Sequence, residues 1–506
     1  MFDLYQLIHS LDPNEKKYFK RFGIRDESKG KSNTLKLFEL FEEAEVYDEE
    51  KILIKIKRSK LDKQLASLKH YLGELLMDNL LWYHKDEIAG LDTALTLAKM
   101  KLLEGRGLEE EAVKLLDKAA KDIDQRDAFV EKWNLLSKQI VTASNDFLAN
   151  KKYGFNKVDE LLHQRGALML QMQRTHEYEV LMIRQLRVMR KAMQARNEND
   201  VNELEEVFKN PLIQNKQKAN SNEALFMYHT VRVHHYLLKG DMENFYAEAL
   251  AMVQFIKAEE RKALGIMRVL WAYSQITQAC YFTQRWAELE FFLSELKALQ
   301  VVMQTEQMAQ FSYYTQLAIT LLDFKADAEG LLILLAETQA KLVEFDNKLR
   351  PDIRLAITIT TVSALIEYGK YSKAIQVCEN FLTNYDSGIR LDAMLMLYVY
   401  EVVAHLEEGN MIYVNNVVQN IYRYFLRNEY NGVFESTMMK VLKKLSEIEE
   451  YTAHTTELNK LRTELTHSAG GAANRQHLAL LPFLQSFIDA KLKGMQMHQY
   501  VASLKS

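Results

Sequence analysis

Apolar residues recur at helical spacing along most of this chain. Short polar or glycine-containing breaks interrupt them at intervals of about 40 to 47 residues. The breaks read Gly107-Leu108-Glu109, Asn150-Lys151-Lys152, Asn197-Glu198-Asn199, Lys239-Gly240-Asp241, Gln284-Arg285-Trp286, Lys325-Ala326-Asp327, Gly369-Lys370-Tyr371 and Gly409-Asn410. The clearest unit lies between Ile357 and Tyr385. Ile357, Thr361, Ala364, Leu365 and Tyr368 share one helical face, a glycine turn follows, and Ala374, Val377, Cys378, Phe381 and Tyr385 line a second helix. Two such stripes bury each other and their neighbours, so the pattern predicts a stacked helix-hairpin solenoid with helices of about 16 to 22 residues.

The two ends depart from this period, as end-caps of a stack should. Asp12-Pro13 followed by Asn14-Glu15 predicts a helix start, with proline at the first helical position and a stripe of Tyr18, Phe19 and Phe22. Leu61, Leu65, Leu68, Leu72 and Leu75 step by four and three, which predicts a buried cap helix against the first repeat rather than a coiled-coil seam. Residues 52–57 read as a short strand or a helix, and Asp48 as an N-cap favours the helix. Ser468-Ala469-Gly470-Gly471-Ala472-Ala473 is a linker, and a final helix from about Asn474 to Gly494 is expected to be kinked, or started, at Pro482. The expected organisation is a helical cap (1–88), a repeat array (89–468) with a hinge near 210–222, and a linker with a capping helix (469–506).

Composition sharpens the fold class. Four prolines and 18 glycines in 506 residues leave little room for strands or extended linkers, so the chain reads as all-α. An apolar content of 48% supports a substantial core. A net charge of −4 gives no global attraction to nucleic acid or to an anionic membrane. Cys280 and Cys378 stand far apart inside apolar patterns, which suits buried thiols in a reducing compartment and predicts the cytoplasm. Residues 1–11 lack a basic start and an apolar stretch long enough for a signal peptide. Neither Leu355–Ile366 nor Val269–Gln284 is long and apolar enough to span a bilayer, so no membrane partner is expected.

Candidate chemistry is sparse. His176-Glu177 is followed by Val180 where a zinc-protease helix needs a second histidine, and His229, His234 and His235 do not share one narrow helical face. Gly30-Lys31-Ser32 resembles the end of a phosphate loop, but Arg25 stands where the leading glycine belongs. Gly105-Arg106-Gly107 has Glu110 at the third glycine position of a dinucleotide fingerprint. There is no G-x-S-x-G elbow. No catalytic residue, metal site or cofactor is therefore predicted.

Two basic features remain. Arg184, Arg187, Arg190 and Lys191 form a candidate anion- or partner-binding face, unless Glu203, Glu205 and Glu206 neutralise it. Lys16, Lys17, Lys20 and Arg21, interleaved with Tyr18 and Phe19, form a candidate N-terminal basic patch. The competing reading places those aromatics in the core and the lysines in water.

Tyr368-Gly369-Lys370-Tyr371-Ser372-Lys373-Ala374-Ile375 resembles the inter-helix turn of a tetratricopeptide repeat, which places glycine at the turn, an aromatic two residues on and a small alanine three further. Gly107 and Ala112 repeat that spacing, with Ala119 as a second small residue. Gly240 and Gly409 are followed instead by Phe245 and Val414, the family's closing proline is missing after residue 382, and the period exceeds the family's 34 residues. The resemblance implies a right-handed solenoid of about eight or nine hairpins whose first helices line a concave face that binds a protein or peptide. A non-catalytic scaffold or adaptor is the expected function. The alternative is a transcriptional regulator that binds nucleic acid through residues 1–88 and senses a partner through the repeats.

Overall fold

The computed structural model describes residues 4–22, 33–44, 65–85, 88, 90–123, 128–149, 155–191, 198–258, 264–345, 348–384, 391–427, 433–448, 450–468 and 475–505. Every regular element among them is helical, so the all-α expectation holds. The predicted breaks at residues 150–152 and 197, the segment 52–57, Asp48, Leu61 and the core of the glycine-alanine linker lie outside the described residues. Contacts divide the chain into two compact units, residues 1–166 and 167–506.

The first unit opens with α1 (Leu4–Ser10), α2 (Pro13–Phe22), α3 (Asn33–Glu42) and α4 (Leu65–Tyr83). Pro13 is the first residue of α2, and its start is a reciprocal cap. Asp12 Oδ1 accepts from the Asn14 and Glu15 amides, while Glu15 Oε2 accepts from the Asp12 amide. These helices share a core of Leu4, Ile8, Phe19, Leu37, Phe38, Phe41, Leu72 and Leu76. The described part of the α4 stripe thus buries itself against the N-terminal helices. Phe22 also departs from expectation: it is half exposed and packs on the Tyr18 ring. Then follow α5 (Leu91–Glu104), α6 (Glu109–Ile123) and α7 (Phe129–Leu148), which pack in sequence. The division between units falls within α8 (Phe155–Lys191), which at 37 residues runs well past the expected helix length.

The second unit continues with α9 (Glu198–Lys209) and α10 (Pro211–Gln214). Segment 210–222 holds α10 and a 3₁₀ turn, capped by the Asn210 and Asn215 side chains, with Leu212 and Ile213 buried. Hairpins follow: α11 (Asn222–Lys239) with α12 (Met242–Lys257), α13 (Ile266–Phe282) with α14 (Trp286–Ala298), and α15 (Gln304–Phe324) with α16 (Ala328–Phe345). Next come α17 (Pro351–Glu367) with α18 (Tyr371–Asn384), α19 (Leu391–Glu407) with α20 (Met411–Arg427), and α21 (Val433–Glu447) with α22 (Thr455–Ser468). The first helices of successive hairpins touch, α13 on α15, α15 on α17 and α17 on α19.

One turn design repeats along the array. One or two residues after the first helix of five successive hairpins the backbone turns left-handed: Gly240, Gly369 and Gly409 at φ 76°, 68° and 76°, and Gln284 and Ala326 at 56° and 54°. The next amide then reaches back five residues, Asp241 to the Tyr236 carbonyl, Arg285 to Cys280, Asp327 to Leu322, Lys370 to Leu365 and Asn410 to His405. In the first unit, Gly107 and the Leu108-to-Leu103 bond have the same form. Five residues after each left-handed position a side chain is buried: Ala112, Phe245, Leu289, Leu331, Ala374 and Val414. The alanine of the resembled turn is one solution to that contact, and this chain fills the others with larger residues.

The chain closes with α23 (Arg475–Leu492) and α24 (Met497–Lys505). Pro482 lies inside α23 and does not start it. α23 packs on α19 and α24 on α17, so the C-terminus folds back across the turn ends of two hairpins. Glu407 accepts from Lys491 Nζ at 2.8 Å and from the Met497 amide at 2.9 Å, and the Tyr371 hydroxyl meets His498 Nδ1 at 2.9 Å.

Candidate functional site

α19 carries a long apolar run from Ala393 to Leu406, in which Glu401 is the single acidic residue. Leu397, Val399, Val402, Val403 and Ala404 are buried among neighbouring helices, and this packing carries Glu401 inward with them. Its side chain lies on the floor of a groove of about 600 Å³. Glu379 and Thr383 of α18 form one wall, Tyr398 shares the floor, and Asn420 and Arg423 of α20 form the other wall.

Glu401 is only 6% exposed, and among the described residues no hydrogen bond or ion pair engages its carboxylate. Burial, reinforced by the Glu379 carboxylate, pushes its pKa up to about 7. Burial and the Glu401 charge raise the Tyr398 phenol. The Cys378 thiol is held well above its ordinary range by burial, then by Glu401 and Glu379, which leaves it protonated and inert. One turn beyond Glu401, His405 is buried and stacked on Tyr413, and burial lowers its pKa.

Two other buried glutamates show how this fold satisfies a carboxylate that serves structure. Glu248 accepts from His229 Nδ1 at 2.6 Å and Arg232 Nε at 2.7 Å, and those partners hold its pKa below the ordinary value against the cost of burial. Glu407 is held by Lys491 and the Met497 amide. Among the described residues Glu401 has no such partners, and its side chain lines the open groove. An unneutralised buried carboxylate costs stability at neutral pH, which makes this groove the candidate site.

The residues singled out in the sequence fall as follows. Arg184 pairs with Glu206 at 2.8 Å and approaches Glu203 at 3.6 Å, Arg187 is exposed, and the side chains of Arg190 and Lys191 lie outside the described set. Lys16, Lys17, Lys20 and Arg21 do converge, lining an open groove with Pro13 and Glu42. Lys20 pairs with Glu42 at 2.7 Å, Lys16 stands 4.0 Å from it, and Arg21 lies over the Phe22 ring. His229, His234 and His235 are all buried; His229 serves Glu248, His235 stacks on Phe208 and His234 meets the Trp271 edge. Among the described residues no group of three His, Cys, Asp or Glu side chains is placed to hold a metal, and no helix is long and apolar enough to cross a membrane.

Sequence reading missed Glu401, although one signal was available: a lone acid within an otherwise apolar helical run. The chain matches no protein-family model, no curated protein and no solved structure.

Proposed function

We propose that this chain is a non-catalytic scaffold or adaptor, a tetratricopeptide-like solenoid in the cytoplasm that holds a protein or peptide partner on its helical array. The recurrent left-handed turns and the contacts between successive first helices support the repeat architecture. The observation that carries the binding reading is the groove over Glu401, a preformed concavity with a buried polar group at its base. This groove lies between the second helices α18 and α20, with a first helix as its floor.

One observation favours a second reading. The groove formed by Lys16, Lys17, Lys20 and Arg21 places four cations against a single carboxylate, Glu42, in the unit that a regulator would use for nucleic acid. A low-salt pull-down of the full chain from its native lysate, quantifying protein and nucleic acid together, separates the two. A discrete polypeptide supports the scaffold. Enriched DNA or RNA that is lost steeply with salt, and lost on replacing Lys16, Lys17 and Arg21 together with Gln, supports the regulator.

A further inference from the structure

The groove over Glu401 has a chemistry that selects among peptides. Its floor is a largely buried carboxylate, its near wall carries a second carboxylate, Glu379, and its far wall carries Asn420 and Arg423. Neither Glu379 nor Arg423 has an ion-pair partner within 4 Å among the described residues, so the field inside the groove is negative on the α18 side and positive on the α20 side. An apolar side chain seated there would leave Glu401 with neither water nor a donor. A carboxylate would meet two like charges. A cationic side chain supplies both the missing charge and the missing hydrogen bonds.

We infer that the Glu401 groove takes a lysine or arginine side chain from an extended segment of a partner polypeptide, with the ammonium or guanidinium against Glu401 and Glu379. Asn420 and Arg423 then face the peptide carbonyls of the bound segment. The long aliphatic stem of either residue lies along Tyr398 and Leu382, which lets the charge reach the floor while the segment stays at the rim. This inference rests on the peptide-binding reading above and adds the chemistry of the residue that is read.

The test uses the full-length chain, immobilised, and four synthetic nonapeptide libraries. Each library is random at eight positions and fixed at the centre as Lys, Arg, norleucine or Glu; retained peptide is measured by mass spectrometry at pH 7.5. The expected result is retention of the Lys and Arg libraries at least fivefold above norleucine, with Glu lowest. Glu401→Gln should abolish the preference, so that Lys and Arg are retained no better than norleucine on the same variant. Equal retention of Lys, Arg and norleucine libraries overturns the cation inference and leaves peptide binding standing. A preference for Lys and Arg that survives Glu401→Gln also overturns it, since the cation is then read elsewhere. Retention of none of the four libraries by a chain with an unchanged helical circular-dichroism spectrum overturns the peptide-binding reading itself.

Discussion

Glu401→Gln is expected to make the protein more stable, and by an amount that depends on pH. In the folded chain the Glu401 carboxyl titrates at about 7 because it is buried beside Glu379, whereas in the unfolded chain it has its ordinary value near 4.5. Below the unfolded value both states are protonated and no penalty exists. As pH rises, the unfolded state ionises first and draws the equilibrium toward itself, until the folded state ionises as well. The full penalty is about 3 kcal/mol, from a shift of roughly 2.5 units at 1.36 kcal/mol each. Glutamine keeps the shape and removes the titration, so the gain should be about 1 kcal/mol at pH 5 and about 3 kcal/mol at pH 8. Urea denaturation of both proteins at the two pH values, followed by far-ultraviolet circular dichroism, measures this directly through the midpoints at a common slope. A gain independent of pH, or a variant less stable than the parent at pH 8, refutes the claim that an unneutralised carboxylate sits at the base of the groove.

Four further outcomes test the architecture. Gly369→Ala and Gly409→Ala both force a β-carbon into a left-handed turn, which costs about 1–2 kcal/mol each. At Gly369 the added atom would also stand 3.0 Å from the His498 ring, while at Gly409 nothing lies within 4 Å, so Gly369→Ala should melt lower. Equal melting temperatures would mean that α24 does not pack on that turn. Ala326→Gly should stabilise by up to about 1 kcal/mol, because a left-handed residue loses its strain; no gain in urea midpoint would contradict that backbone conformation. Ala374→Leu overpacks a fully buried contact between hairpin helices and should cost about 1–3 kcal/mol, read as a lower melting temperature. Lys491→Met leaves Glu407 buried without its cation and should cost about 3–5 kcal/mol in urea unfolding, whereas a neutral effect would show the C-terminal clamp to be dispensable.

The repeat is legible because its punctuation is local. Gly107, Gly240, Gly369 and Gly409 mark left-handed turns that their own neighbours dictate, and the helical stripes on either side need nothing from elsewhere in the chain. Gln284 and Ala326 were readable as breaks but not as left-handed residues, since neither side chain prefers that conformation and the surrounding hairpin imposes it. The fold-back of α23 and α24 leaves no local trace, because Tyr371 meets His498 across 127 positions and Glu407 meets the Met497 amide across 90. The basic stretch at Lys16 to Arg21 was visible, but its partial neutralisation was not, because Glu42 arrives on another helix. Glu401 was visible as an oddity in an apolar run. Its meaning depends on two walls contributed by α18 and α20, and no spacing within α19 announces them.

The central claim is that a partner polypeptide occupies the groove between α18 and α20. Site-specific photocrosslinking tests it most directly: a benzophenone amino acid replaces the exposed Asn420 at the rim, and a control chain carries it at the exposed Glu329 on α16. Irradiation of each full-length chain in native lysate should give a discrete polypeptide adduct from position 420 that is absent from 329 and weakened by Glu401→Gln. No adduct at 420, or the same adducts from both positions, would contradict the account.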